Sequence, residues 1–572
     1  MRTPPASARC VWIGSRSGMS RRLRGLRRVS QVAFLAAFVA LFGFAAYLVS
    51  TPVPPDLFLR ADPLIAFSAM VSARRLVLPL LWFAIPVVVL SLLFGRAFCG
   101  WICPMGTSID LCERLFHIRG LRPSKAPQWR RLKFYLLIAL LLTMLLPAAH
   151  KSAEELGISK TVGLSAVYAL DPIALLTRTF SLVALPAAQW AIGMVNDSLT
   201  AFGYSDFVDR HQWLARVVNP VQMGTNLVAR PVYFRLGLFT FLFFGGIVAL
   251  GRFGRRFWCR NICPLGALLG FLGKVSPLRL AVSEKCTRCM RCVNECKVGA
   301  ITEDPKKYLG AECIGCYSCI AVCPVSAVSL TAGGADAGRD DALQLDRRRL
   351  LQAAGAGVAA VIIPKVDWSA KRAERAATKF SDAKLIRPPG ALPEEPFVTA
   401  CVRCGECMKV CPTNALQPAF GEGGLQALES PVLVPRVGPC SQACNLCGSV
   451  CPTRAIEPFT IEEKSYLYLG TAVVDRNMCI AWANDKQCLI CDEACSYDAI
   501  SQKKTGGVGR PVIDERICVG CGLCERACPV QPQGAIHVYA SGDKRHLSRR
   551  EQRDLREQVK QEPVSELPYP NL

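Results

Sequence analysis

Long apolar runs occupy the first half of the chain, at residues 31–50, 76–95, 134–148 and 236–250. A helix that spans a bilayer needs about 20 mainly apolar residues, so the two shorter runs lie near the lower limit. The pattern predicts an α-helical integral membrane domain over residues 29–275, preceded by a basic N-terminal segment, residues 1–28.

Basic residues beside these runs predict the orientation of the domain. The first 28 residues contain eight arginines and no acidic residue, and further basic clusters precede run 134–148 and follow run 236–250. The positive-inside rule assigns all three clusters to the cytoplasm, with Arg74 and Arg75 as exceptions on the outer side. Segment 149–234 holds two more apolar runs, broken by prolines. The basic clusters on either side require that this segment cross the membrane either not at all or twice. The domain therefore has four or six spans, and we favour four.

Composition agrees with a membrane protein that carries soluble modules. The chain has 572 residues, is 51% hydrophobic and has a net charge of +24. Because much of the positive charge lies beside the apolar runs, contact with membrane lipid explains it, and we expect no nucleic-acid partner.

The spacing of the cysteines indicates which cofactor the chain binds. Of the 30 cysteines, 24 form six groups of four, and four thiolates at such spacing are ligands of a [4Fe–4S] cluster, whereas a zinc site does not predict the fourth cysteine of each run. The groups are Cys286, Cys289, Cys292 and Cys296; Cys313, Cys316, Cys319 and Cys323; Cys401, Cys404, Cys407 and Cys411; Cys440, Cys444, Cys447 and Cys451; Cys479, Cys488, Cys491 and Cys495; and Cys518, Cys521, Cys524 and Cys528. Six clusters are expected, in α+β modules like bacterial ferredoxins.

The six groups divide between two modules. The first two groups predict a two-cluster module at residues 276–330, in which the fourth cysteine of each run binds the cluster of the other run, and Lys297 stands where proline is usual. The other four groups predict a four-cluster domain at residues 392–540, and a charged tail follows at residues 541–572. The groups that begin at Cys440 and Cys479 have longer first gaps, and the pairing within this domain stays open.

A linker, residues 331–391, joins the modules and contains a twin-arginine stretch at 346–364. Arg347 and Arg348 precede a short, alanine-rich apolar run, which is typical of an export signal rather than of a full membrane span. Such a signal would place the first module in the cytoplasm and the C-terminal domain in the periplasm. Cleavage or retention after Pro364 stays open, and we favour retention.

Two short motifs follow the second and fourth runs. They share the frame aromatic-Cys-x3-Cys-Pro-x-Gly, with Cys99 and Cys103 in one copy and Cys259 and Cys263 in the other, which indicates internal duplication. The four thiols could hold a seventh cluster, bind copper(I), act as redox thiols or serve structure alone. Cys10 and Cys112 have no partner at ligand spacing and are interpreted as ordinary thiols.

The sequences GRAFCGWICPMG and RRFWCRNICPLG resemble the paired motifs of the NapH/NosR/CcoG group of membrane ferredoxins, over about residues 30–330. The second half resembles the NapG/MauM ferredoxins over about residues 345–540, through RPPGALPEEPF, CIAWANDKQCLICDEAC and the twin-arginine stretch. The chain looks like a fusion of the two types.

The resemblance implies a multi-pass protein of the bacterial inner membrane that takes electrons from quinol and passes them to a periplasmic redox enzyme or cytochrome. It would be an electron carrier or part of a quinol dehydrogenase rather than a self-contained enzyme. Alternatives are an accessory role in maturation or reductive activation of a periplasmic metalloenzyme, and CcoG-like copper reduction.

Other motifs carry less weight. The glycines at Gly355 and Gly357 follow no strand, so a dinucleotide site is not expected. No Cys-x-x-Cys-His occurs, which argues against covalently attached haem. His150, at a span end, is a weak candidate for quinol deprotonation.

Overall fold

The computed structural model describes residues 17–44, 53–73, 77–118, 120–121, 129–145, 170–201, 232–301, 304–305, 308–332, 346–362, 385–423 and 427–561. The chain forms two compact units, described separately here. The first comprises Met1–Phe44, Thr51–Thr179 and Phe239–Ile363, and the second comprises Ala45–Ser50, Phe180–Leu238 and Pro364–Leu572. Cys10, His150, His211 and Pro364 lie outside the described residues.

The helices up to the twin-arginine stretch follow the apolar pattern of the sequence. In chain order they are α1 Ser17–Phe44, α2 Leu57–Arg60, α3 Pro63–Ala73, α4 Leu78–Phe94, α5 Ala97–Trp101, α6 Pro104–Leu115, α7 Leu132–Leu145, α8 Pro172–Thr179, α9 Leu185–Ala201, α10 Gly237–Ala249, α11 Phe257–Asn261, α12 Pro264–Leu272, α13 Arg291–Glu295, α14 Ser318–Val322 and α15 Arg347–Ile362. Helices α4, α7 and α10 lie on three of the four apolar runs, and α1 begins well before the first. Helix α9 belongs to the second unit.

Within the described residues, one helix is long and apolar enough to cross a membrane, over Arg22–Gly43 in α1. Helices α4 and α5–α6 pass the same criterion only as a pair that bends by 98° between them. Shorter apolar helices lie at Leu132–Leu142, Gly237–Phe253 and Pro264–Val275. Membrane association is supported at this coarse level, and the expected four-span arrangement remains a prediction.

A small ferredoxin-like module closes the first unit. Strands β1 Leu278–Val282 and β2 Val328–Ala332 pair antiparallel, with Leu280 opposite Leu330. Helices α13 and α14 lie between these strands in the sequence, and each begins just before the third cysteine of its group. The strands therefore bring the start and the end of the module together.

The twin-arginine stretch forms α15, which packs on α7 in the first unit. The backbone N–H of Asp346 donates to the hydroxyl of Tyr135 at 3.1 Å. Arg347 and Arg348 are exposed, and so is Leu351. The helix agrees in extent with the predicted signal-like run, although its role in export remains a prediction.

The second unit contains three further two-stranded antiparallel sheets and short helices. The strands are β3 Leu416–Pro418, β4 Pro431–Leu433, β5 Thr471–Val474, β6 Ile500–Thr505, β7 Val508–Ile513 and β8 Ile536–Tyr539, and they pair as β3–β4, β5–β8 and β6–β7. The helices are α16 Glu394–Ala400, α17 Glu406–Lys409, α18 Leu446–Ser449, α19 Ile461–Lys464, α20 Ile480–Ala483, α21 Ile490–Glu493, α22 Leu523–Ala527 and α23 Arg549–Gln561. Gly506 and Gly507, both with positive φ, form the two-residue turn between β6 and β7.

Two buried aspartates begin helices α3 and α8 in the same way. Asp62 Oδ1 accepts from the N–H groups of Leu64 and Ile65, at 2.8 and 3.3 Å. Asp171 Oδ1 accepts from the corresponding groups two and three residues further on, at 3.0 and 2.8 Å. Both carboxyls are completely buried and hydrogen-bond to each other, and their Oδ2 atoms meet no N–H or O–H donor elsewhere in the described residues.

Burial raises the pKa of both carboxyls, and the charge of Asp171 raises the pKa of Asp62 further. The pair should therefore share a proton at neutral pH, since two bare carboxylates in contact would repel in a low dielectric. We expect an infrared carboxylic-acid band at pH 7 that is lost in Asp62→Asn and in Asp171→Asn. Stability from this pair should fall as pH rises from about 4 through the raised pKa, because the folded state holds the extra proton.

The control is Asp56→Asn, because Asp56 forms an ion pair with Arg60 at 2.8 Å and is therefore not expected to contribute to the band. A band that survives in both Asp62→Asn and Asp171→Asn would contradict the shared proton.

Candidate iron–sulfur centres

Four of the six cysteine groups share one local backbone conformation. In each regular group the residues on both sides of the second cysteine have positive φ. They are Arg288 and Met290, Gly315 and Tyr317, Arg403 and Gly405, and Gly520 and Gly522. Left-handed residues interspersed in this way turn successive N–H groups toward one point, a concave geometry found at iron–sulfur and phosphate sites. Each regular group therefore forms a cradle for an anionic centre from seven consecutive residues.

The first module combines its two groups as the spacing predicts. The thiols of Cys313, Cys316 and Cys319 lie together with that of Cys296, which belongs to the other run. The Cys292 thiol in turn lies near those of Cys286 and Cys323. Each set draws its fourth thiol from the other run, as in two-cluster ferredoxins.

The structure also pairs the first two groups of the C-terminal domain. Cys407 lies with Cys404, Cys401 and Cys451, so the fourth thiol of this set comes from the second group. Cys447 lies with Cys440, Cys444 and Cys411, which completes the exchange. The sequence left this pairing open.

The last two groups exchange ligands in the same way. One cavity is lined by Cys518, Cys521, Cys524 and Cys495, and a second cavity is lined by Cys479, Cys488, Cys491 and Cys528. The four cysteine groups of the C-terminal domain are thus combined in two successive pairs, and within each pair the fourth cysteines are exchanged.

Backbone N–H groups point at the fourth cysteine of most groups. Ala300 donates to Cys296 Sγ at 3.1 Å, Ala327 to Cys323 Sγ at 3.2 Å and Ala535 to Cys528 Sγ at 3.2 Å. Cys495 and Cys451 accept similar bonds at 3.4 Å. Such bonds stabilise a thiolate and are one of the factors that set the reduction potential of a cluster.

The two irregular groups lack the paired left-handed residues and are supported by other side chains. Buried Lys464, at the end of α19, donates to the carbonyls of Ser441 and Cys444, at 2.6 and 2.5 Å, and so holds the enlarged first loop of its group. In the long-gapped group, the guanidinium carbons of Arg476 and Arg510 lie 4.6 and 5.1 Å from the centroid of the Trp482 ring. These contacts explain how longer gaps still present four thiols.

The Cys-x3-Cys-Pro motifs make two identical turns. Cys103 and Cys263 are the N-caps of α6 and α12, and the proline that follows each of them starts its helix, where no N–H is needed. The Gly266 N–H donates to Cys263 Sγ at 3.2 Å, and Gly106 occupies the corresponding position after Cys103. The shared motif therefore places a cysteine thiol at the N-terminus of a helix. The positive end of the helix dipole at this point favours a thiolate.

The two turns face each other, so that Cys99, Cys103, Cys259 and Cys263 come together. Arg96 and Arg256, both fully buried, cross between the halves. Arg96 Nη2 donates to the Cys259 carbonyl at 3.1 Å, and Arg256 Nη1 donates to the Cys99 carbonyl at 3.0 Å.

Each arginine also packs on the glycine of the opposite motif. A Cβ atom at Gly266 would lie 2.5 Å from Arg96 Nη2, and one at Gly106 would lie 3.2 Å from Arg256 Nη1. The glycine of the frame is therefore required by the side chain that crosses from the other half.

The paired motifs also contact the first ferredoxin module directly. Trp101 Nε1 donates to the Gly315 carbonyl at 2.9 Å, and a Cβ at Gly100 would collide with the Ile314 carbonyl. Ile314 and Gly315 lie between the ligand cysteines Cys313 and Cys316. The four-thiol site therefore adjoins one particular cluster-binding loop.

The donor sets fit clusters better than single ions. Burial raises the pKa of the thiols at Cys263 and Cys319, and it raises the pKa of Cys259 to about 11, so free thiols would be neutral at pH 7 and a bound cation must stabilise the thiolates. Among the described residues no three His, Cys, Asp or Glu side chains close round a single metal ion. Four thiolates are the usual ligand set of a [4Fe–4S] cluster, so each set has the donors that such a cluster requires.

Comparison with known families agrees with this geometry. A model described as a 4Fe-4S binding domain matches residues 76–122 and 236–282, and each match contains one Cys-x3-Cys-Pro motif. A second 4Fe-4S binding domain model matches residues 282–302, and models of 4Fe-4S dicluster domains match residues 312–416 and 486–531. The chain is thus an iron–sulfur electron-transfer protein with several [4Fe–4S] sites.

Similarity to individual proteins identifies the family of this chain more closely. The chain is 36% identical over 166 residues to the methylamine utilization ferredoxin-type protein MauM of Methylorubrum extorquens, which covers 28% of this chain and 74% of the relative. It is 34% identical over 163 residues to the ferredoxin-type protein NapG of Escherichia coli, and this alignment covers 27% of this chain and 69% of the relative. The chain therefore belongs to the MauM/NapG family of ferredoxin-type proteins.

A further similarity, 27% identity over 287 residues, joins the chain to the ferredoxin-type protein NapH of Haemophilus influenzae and covers 49% of this chain and 76% of the relative. The expected resemblance to MauM, NapG and NapH is confirmed, and the resemblance to NosR and CcoG remains a prediction. No solved structure matches the chain.

The exchanged pairing in the C-terminal domain is testable by alkylation. In Cys451→Ser, we expect Cys401, Cys404 and Cys407 to become reactive toward a thiol reagent under anaerobic native conditions, because they lose their fourth ligand. Mass spectrometry of the labelled peptides measures this.

Cys112→Ser should leave every ligand thiol protected and serves as the control. Reactive Cys440, Cys444 and Cys447 in the Cys451→Ser protein, with the first three still protected, would show that each group binds its own cluster.

Proposed function

We propose that this protein takes electrons from the quinol pool of a bacterial inner membrane and delivers them to a periplasmic redox enzyme or cytochrome. The observation that carries the proposal is the set of seven four-thiol sites, one of which lies between helices that follow apolar runs. A [4Fe–4S] cluster supplies one-electron transfer, and the described sites contain no group arranged for acid–base or nucleophilic chemistry on a bound substrate.

Six of the sites are those of the two ferredoxin modules, formed by the 24 cysteines of the regular and irregular groups. The seventh is the four-thiol site of Cys99, Cys103, Cys259 and Cys263, for which we propose a cluster rather than copper(I) or a redox thiol pair. The match of a 4Fe-4S binding domain model to both motifs supports this choice.

The proposed sidedness places the first module in the cytoplasm and the C-terminal domain in the periplasm. Contacts within the second unit support the outer position of that domain. Segment 149–234 follows a run that starts in the cytoplasm and is therefore the predicted outer loop. The Tyr233 carbonyl, at the end of this loop, accepts from Asn414 Nδ2 and Gln417 Nε2, both at 3.0 Å, and Arg235 pairs with Glu422 at 3.1 Å. The predicted outer loop thus binds the domain that α15 would export.

The iron content tests the seventh site. We expect about 28 iron atoms per chain at four per cluster, and about 24 in the double variant Cys99→Ser/Cys263→Ser, because two of the four ligands are lost. Iron and acid-labile sulfide are measured on anaerobically purified protein, with Cys112→Ser as the control. An iron content of about 24 that does not change in the double variant would refute a cluster at the paired motifs.

Quinol reduction in liposomes tests the function itself. With the intact protein and a membrane-soluble quinol, we expect the visible iron–sulfur absorption to bleach without another reductant. Dithionite provides the fully reduced reference. If dithionite reduces the protein fully and quinol does not reduce it at all, the proposed conduit is wrong.

An accessory role is the second candidate. It is favoured by the similarity to MauM, a protein named for methylamine utilization. In this role the same electron path would activate a periplasmic metalloenzyme during its maturation. A conduit would be needed at every turnover of the partner, whereas an accessory factor would be dispensable once the partner is mature.

A further inference from the structure

The two crossing arginines each belong to a triad of charges, of which the one around Glu312 is buried and the one around Asp110 is partly exposed at Asp110 and Lys297. Arg96 Nη1 lies 2.9 Å from Glu312 Oε2, and the same oxygen accepts from Lys133. Arg256 binds both oxygens of Asp110, at 2.9 and 3.0 Å, and Lys297 Nζ lies 2.7 Å from Asp110 Oδ2. The two halves thus repeat the arrangement arginine, carboxylate, lysine.

The carboxyl group of Asp110 is held in its ionised form. Burial alone would raise the pKa of Asp110, but Arg256 and Lys297 hold it well below its usual range. Two cations and one anion leave the triad of Glu312 with a net positive charge, and around Asp110 a third cation, Arg27 at 3.9 Å, makes the excess of positive charge larger. Buried charge is costly without an opposite charge nearby, so two such triads beside four cysteines call for an anionic partner.

A cluster bound by four thiolates meets this requirement. Four thiolates around an oxidised [4Fe–4S] core of charge +2 have a net charge of −2, which is opposite in sign to the excess charge of both triads. Four neutral thiols would leave both triads uncompensated. A single divalent cation with four thiolates has the same net charge but cannot be reduced in the same way, so a redox measurement separates the two occupants.

The triads are also fixed to the neighbouring ferredoxin ligands. Glu312 directly precedes Cys313, and Lys297 directly follows Cys296. Cys296 and Cys313 belong to one ligand set, so both triads connect the four-thiol site to the same ferredoxin centre. This position also accounts for Lys297 in place of the usual proline, because its side chain is needed at Asp110.

We propose that Arg96 and Arg256, held by Glu312 and Asp110, are positioning residues that raise the reduction potential at the four-thiol site. The physical reason is that reduction adds a negative charge, which a nearby buried cation stabilises. The proposal rests on the proposed cluster at Cys99, Cys103, Cys259 and Cys263. A raised potential at this site would suit it to receive electrons from quinol.

Potentiometric titration followed by electron paramagnetic resonance tests the proposal with chemical mediators, and needs no quinol activity. The signal of the site is assigned by its loss in Cys99→Ser/Cys263→Ser. Arg96→Gln and Arg256→Gln should shift the one-electron equilibrium toward the oxidised form by about tenfold, which is about 59 mV. Asp110→Asn and Glu312→Gln remove a negative charge and should shift it in the opposite direction.

Damage to the fold would not shift the reduction potential in opposite directions according to the sign of the charge removed. Shifts of opposite sign therefore indicate an electrostatic role. Arg96→Lys keeps the charge and should stay near the wild-type potential, even if Arg96→Gln loses iron. Arg60→Gln removes a cation that pairs with Asp56 and should leave the potential unchanged.

Shifts in one common direction, or none, in variants with full iron content would overturn the proposal. If the wild-type protein gives no signal that is lost in Cys99→Ser/Cys263→Ser and contains only about 24 iron atoms, the proposed cluster itself is refuted. The two failures are therefore distinguishable.

Discussion

The reciprocal crossing of two buried arginines organises the first unit. Each guanidinium leaves one copy of the duplicated motif and binds the carbonyl of the first cysteine in the other copy. A buried guanidinium needs its donors satisfied and its charge matched, so neither motif can form properly without the other. This mutual dependence explains why the glycines of both copies must stay small and why a carboxylate faces each arginine.

The charge partners of the crossing arginines also involve the first ferredoxin module. One carboxylate comes from the residue before a ligand cysteine, and one lysine from the residue after another. The helical part and the module therefore share a polar core, in addition to the contacts of Trp101 with Gly315. A site built from both parts is held more rigidly than two domains joined by a linker alone.

Much of this could be predicted from the sequence. Cysteine spacing predicted the six sets of ligands, and the repeated frame indicated that Cys99, Cys103, Cys259 and Cys263 form a related set. The pairing of the four C-terminal groups could not be predicted, because it depends on how two-stranded sheets bring distant loops together. The triads were missed as well: Glu312 and Asp110 lie far apart in sequence, and the only local signal was the lysine at position 297.

The left-handed residues around the second cysteine distinguish two kinds of cluster-binding segment. A regular group carries three predicted ligands and its cradle within seven residues, so its local shape depends little on the rest of the domain, although its fourth thiol comes from another group. The irregular groups depend on Lys464 or on the Trp482 stack, which lie outside the short run of ligands. Those two groups therefore depend on the rest of their domain. Substitutions in that domain should disturb them even where all four cysteines are kept.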